Sequence, residues 1–169
     1  MIDVLVFVYE NYWRGDACPE LHQLGRKLSA VGFEAEEIQE ALAWLNGLNL
    51  AAQSAGRIAS SSEEASSSAG YALPVLQQSP LSQRVYSVAE QDHLGAECLG
   101  FLNFLESAGV LPATMREIVI DRAMAARGDP ITLDDLKVMV LMVYWSFGEE
   151  PDALVLDELC DDASDRIAH

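Results

Sequence analysis

The residues of this chain best equipped for chemistry cluster at Glu90, His93 and Glu97. Glu-x-x-His sets two ligand types three positions apart on a helix, with another carboxylate one turn further on. A carboxylate-bridged dimetal centre uses this spacing, but it needs a second Glu-x-x-His and further glutamates from other helices. No second copy exists. Glu90 has a simpler role, since Ser87 and Glu90 have the Ser-x-x-Glu spacing of a capping box. His22 and His93 would serve as bases only with partners that the sequence does not show. There is no Gly-x-Ser-x-Gly elbow, no Gly-rich loop ending in Lys-Ser or Lys-Thr, and no dinucleotide fingerprint. Cys18, Cys98 and Cys160 lack the paired spacing of a zinc site, and their odd number and wide separation fit a reducing compartment without a disulfide framework. No catalytic, cofactor-binding or metal-binding residue is therefore expected, and the chain reads as a non-enzyme.

What remains is binding. Arg116, Arg122, Arg127 and Lys137 are the basic residues grouped in the second half, and they are candidate contacts for an acidic partner or a phosphate; the neighbouring Glu117, Asp121, Asp129 and Asp134 equally suit a role as their counter-charges. Leu154 and Leu159, set among carboxylates near the C-terminus, are candidate contacts for a protein partner, in an acidic amphipathic segment that engages a partner or shields a face of its own body.

The net charge of −17 opposes polyanions, because nucleic-acid affinity rests chiefly on Lys and Arg contacts to phosphate. The charge is uneven: residues 149–169 hold 8 acidic groups against 1 basic. The longest apolar run, from Val138 to Phe147, is half of the roughly 20 residues a membrane span needs, and Asp3 stands where an export signal carries positive charge. These features predict a soluble, cytoplasmic protein.

The elements that hold these residues are helical. Asp3, Glu10 and Arg14 fall on one helical face of the opening residues, with Val4, Leu5, Val8 and Tyr12 on the other. Leu21, Leu24, Leu28 and Val31 make an apolar stripe ended by Gly32, and Ile38, Ala41, Leu42 and Leu45 make the next, bordered by Trp44. Ser54 to Gly70 has no apolar period and reads as a flexible linker. Val88 to Ala108 is the longest amphipathic helix, with Leu94, Cys98, Phe101, Leu102 and Leu105 on one face and Phe104 widening it; Gly109 and Pro112 end it. Helices at 114–127, stopped by Gly128, and from Thr132 to Phe147 follow. The expected fold is all-α, six to seven helices packed around the central one at about 88–108, with a short extended piece near 84–87. The expected units are 1–47, a three-helix unit; 48–83, a Ser-rich insertion; 84–148, a second helical unit; and 149–169, an acidic tail.

The blocks GFEAEEIQEALAWL (32–45), SQRVYSVAEQDHL (82–94), GFLNFLESAGVLPATMREIVIDRAMA (100–125) and LDDLKVMVLMV (133–143) together resemble the bacterial Smg protein family. The likeness spans nearly the whole chain, except the Ser-rich stretch around 59–68 and, more weakly, the acidic tail. It implies no established activity and transfers no catalytic residue. The family's genes are often associated with neighbours in DNA processing and protein maturation. The helix, Gly-Phe turn and helix at Leu21 to Leu45 resemble a helix-turn-helix as well as an ordinary hairpin, but between Gly32 and Gly47 there are four glutamates and no cation. The leading expectation is a non-catalytic interaction or regulatory protein acting through an unidentified protein partner. The alternative is an acidic, helix-turn-helix-like nucleic-acid binder linked to DNA processing.

Overall fold

The opposition of Asp3 and Glu10 to Val4, Leu5 and Val8 makes the opening residues a helix: α1 spans Ile2–Tyr12 and buries those three apolar side chains. The computed structural model describes residues 1–12, 21–64, 84–127 and 130–149. Five more helices follow among them: α2 Leu21–Val31, α3 Ala35–Glu64, α4 Val88–Ser107, α5 Ala113–Met124 and α6 Leu133–Phe147. The all-α expectation holds, and residues 84–87 form no strand. No helix among the described residues is long and apolar enough to cross a membrane.

The expected end of α3 near Leu45 is overturned. The helix continues through Gly47 to Glu64, so the first part of the stretch read as a flexible linker is helical. Gly47 marks a close approach instead of a stop: a Cβ there would stand 1.8 Å from the Arg122 guanidinium of α5. Beyond it, Leu48 is buried, and Ala51 and Ala55 pack against the core at three- and four-residue steps. Alanine is also the best helix former. Tertiary contact together with propensity thus carries the helix past residues that look like punctuation.

Helix α4 begins with the expected capping box. The Glu90 N–H donates to Ser87 Oγ at 3.3 Å, and the Ser87 N–H donates to the Glu90 carboxylate at 2.7 Å. The helix is not one straight rod, because Gly95 interrupts it at φ 70, ψ 169. The break frees the His93 carbonyl, which accepts the Ile131 N–H at 3.0 Å. Phe104 is exposed, contrary to expectation. Among the described residues, α4 packs mainly against α5 and α6, so a narrower arc of its surface is covered.

Among the described residues, α3 and α6 rather than α4 pack most widely, each against four helices. Helix α6 touches α1, α3, α4 and α5, and every residue from Leu136 to Tyr144 is buried. A second capping box, Thr132 with Asp135, starts it, and the left-handed Gly148 ends it. The Tyr144 hydroxyl donates to the Val110 carbonyl, tying the end of α6 to the α4–α5 turn. Helix α5 ends at Met124, earlier than expected; Gly128, its expected stop, lies outside the described residues.

Cys98 faces this core, its thiol 3.8 Å from the Ile131 carbonyl oxygen. Burial, reinforced by Glu97 and Asp135, pushes the thiol up to about 11. Alkylation at pH 8 is expected to be at least roughly a hundredfold slower at Cys98 in the native chain than in urea, since the thiolate is the nucleophile. Peptide mapping after iodoacetamide treatment checks this; equal labelling in both states would contradict it.

Candidate functional site

Past Gly47, α3 presents Ala51, Ser54, Ala55 and Gly56 toward the first turn of α5. These side chains are too small to close the space. The result is a groove of about 760 Å³ whose far wall is Pro112 to Ile118, with Phe147 and Glu149 at one end. That volume lies within the range of ligand clefts, roughly 300–1,000 Å³. Leu50, one turn from Ser54 along α3, is 57% exposed. Helix α5 meets the groove with its N-terminus, and its N-cap is Pro112, which has no side-chain acceptor for the N–H groups of the first turn.

A charge network forms the groove's other border. Arg84 donates from Nε to Glu117 at 2.8 Å and from Nη2 to Glu90 at 2.8 Å, while its guanidinium lies 4.8 Å above the Tyr86 ring. The Arg116 side chain is buried and pairs with Glu106 and, at 2.8 Å, with Glu117. This network anchors residues 84–87 to α5. Burial alone would raise the Glu117 carboxyl, but hydrogen bonds from Arg84 and Arg116 outweigh it and leave it below the usual value.

Glu90 is shifted further. The hydrogen bond from Arg84, then that from the Ser87 N–H, brings its carboxyl down from 4.5 to about 2. A folded-state value below the unfolded one means that the unfolded chain binds the extra proton first, so stability rises with pH across this window. The Glu90 contribution is complete above pH 4.5 and is lost as pH falls toward about 2. Glu90→Gln is expected to flatten the dependence of unfolding free energy on pH in that interval. Urea titrations at stepped pH check this; an unchanged slope would contradict it.

The residues singled out from sequence are dispersed. Arg116 lines the groove, and Lys137 is buried with its ammonium 6.0 Å from the Phe101 ring centre. Arg122 pairs with Asp121 at 2.6 Å, and Arg127 with Glu40 at 3.2 Å. These two line a different cleft of about 600 Å³, beside Trp44 and Glu36, where the Trp44 indole N–H donates to the Arg122 carbonyl at 2.8 Å. Leu154 and Leu159 lie outside the described residues. Glu90 is engaged by the cap and Arg84. His93 Nε2 sits 3.0 Å from the Ala123 carbonyl oxygen, so that nitrogen carries the proton and donates. Among the described residues, no three His, Cys, Asp or Glu side chains are grouped to hold a metal ion.

Sequence reasoning missed the groove because its α3 wall lies in the stretch read as a linker. The signal was present in Leu45, Leu48, Ala51 and Ala55, which step by three and four. Arg84 was missed as well; nothing local marks it, since its partners are 6 and 33 positions away.

The sequence pattern of a family described as "Protein of unknown function (DUF494)" matches residues 1–169. "Protein Smg homolog" of Leptothrix cholodnii is 58% identical over 169 residues, and that of Methylibium petroleiphilum is 56% identical over 169, with 100% of both chains covered in each case. The Smg homolog of Herminiimonas arsenicoxydans is 48% identical over 172 residues, again covering 100% of both chains. No solved structure matches this chain.

Proposed function

The chain belongs to the Smg family, and on that premise we propose that it works as a non-catalytic interaction or regulatory module, receiving an apolar segment of a protein partner in the groove between α3 and α5. The groove carries this reading. It is an open apolar channel about 760 Å³ in volume, walled by two helices, of the kind that takes the apolar face of an amphipathic segment. Further support comes from three chemistry-bearing side chains that have structural roles: Glu90 caps α4, His93 holds the Ala123 carbonyl, and Cys98 is core. Arg84, Arg116, Arg122 and Arg127 each pair with a carboxylate. Such pairing speaks against a phosphate-binding face.

Crosslinking in lysate, with and without nuclease, tests this. The wild-type chain is expected to capture a defined protein whether or not nuclease is present, and Ser54→Glu, an exposed change on the groove wall, is expected to lose it. Recovery of chaperones alone, loss on nuclease treatment, or equal capture by Ser54→Glu would each contradict the proposal.

A further inference from the structure

The described chain leaves α6 at the groove itself. Gly148 turns the backbone off the helix, the Glu149 N–H still donates to the Tyr144 carbonyl at 3.1 Å, and Glu149 lines the groove. The exit point is therefore fixed at the groove's edge. The residues that follow are apolar and acidic together: Leu154, Val155, Leu156 and Leu159 stand among carboxylates that include Asp152, Asp157 and Glu158.

The groove matches the apolar property. Its α3 wall of small side chains accepts leucines, and the Glu117 and Glu149 carboxylates on its lining keep the flanking acidic residues of the segment turned outward to water. Reach also favours this occupant. Leu154 is five residues beyond Glu149 and can travel at most about 18 Å from it. A tether this short holds the segment at an effective concentration on the order of millimolar. The apolar residues at 71–76 are tethered at longer range, seven residues beyond Glu64 and eight before Arg84, and neither of those two residues lines the groove.

We infer that residues 153–160 of this chain seat in the α3–α5 groove and must be displaced before a protein partner enters. The docking itself stands on the groove and the tail; its regulatory meaning rests on the function proposed above.

Native Cys160 supplies the probe. In the full-length chain carrying Cys18→Ser, a second cysteine is placed at Ser54→Cys, at Thr114→Cys, or, as control, at Gln39→Cys in the other cleft. Mild oxidation is expected to trap Cys160 within one molecule at 54 or 114, at least tenfold more than at 39. Leu156→Asp with Leu159→Asp is expected to abolish that trapping and to speed amide exchange at 51–56 and 112–118. Trapping equal at 39, trapping only between molecules, or exchange unchanged by the two aspartates would each overturn the inference; persistent protection would assign the groove to another occupant. The two readings separate in lysate. If the chain with both leucines intact traps nothing at 54 or 114 and still captures a partner that Ser54→Glu loses, the docking fails and the groove's partner role stands. If docking is trapped and no partner is captured, the reverse holds.

Discussion

Met139→Ala is expected to lower the unfolding free energy by about 2–5 kcal/mol, the range for removing a large buried aliphatic side chain. Met139 is fully buried at the middle of α6, the helix that α1, α3, α4 and α5 all touch. Two costs add there, the lost transfer of the side chain out of water and the cavity left behind, and four packed neighbours leave little freedom to collapse into it. Val88→Ala makes the contrast. Val88 belongs to α4 but is 73% exposed, so its loss is expected to change stability by no more than about 0.5 kcal/mol. Urea unfolding of both variants, read as a shift in midpoint at constant slope, checks the pair. A near-neutral Met139→Ala would contradict this packing of α6.

The second large effect is at Gly95. Its φ of 70 and ψ of 169 lie in a region that only glycine occupies without strain. Nothing stands within 4 Å of where a Cβ would go, so no steric clash contributes. The expected loss for Gly95→Ala, about 1–3 kcal/mol, is a pure backbone cost. If the kink instead straightened to relieve the strain, the His93 carbonyl would return to the helix and the Ile131 N–H would lose its acceptor. Both routes destabilise the native chain. Gly100→Ala, in the same helix, exposed and also with an open Cβ position, is expected to stabilise by up to about 1 kcal/mol through helix propensity. Thermal unfolding of the two variants should move in opposite directions; parallel shifts would contradict this.

What the sequence made legible was local chemistry. The boxes at Ser87 with Glu90 and Thr132 with Asp135, and the exit at Gly109, are each written within a few residues, and each is found in place. What it hid was long-range. Gly47 reads as a helix stop until Arg122 is seen to need the space. Gly95 reads as a tolerated helical glycine until Ile131 is seen to take the carbonyl released there. Arg116 and Lys137 read as surface charges because their types usually are, yet both are buried, Arg116 with carboxylates supplied by α4 and α5. The longest amphipathic pattern, at 88–108, reads as the centre, whereas α3 and α6 each meet more helices than α4 does. The run from Leu136 to Val143 is legible as a helix apolar nearly all round and so buried on several sides, but which neighbours bury it is not written in the sequence.

The same limit explains the candidate site. Its α5 wall lies in a helix the sequence predicts, and its α3 wall in a stretch whose composition predicts none. A groove between two elements cannot be read while one of them is missing.

The most direct test of the proposed role is a photo-crosslinking amino acid placed at position 54 of the full-length chain in living cells, compared with one at position 39. Illumination is expected to join position 54 to one defined protein, with a yield that rises when Leu159→Asp is added, and to leave position 39 without that adduct. Adducts to nucleic acid, or the same protein captured equally from both positions, would contradict a function exercised through the groove.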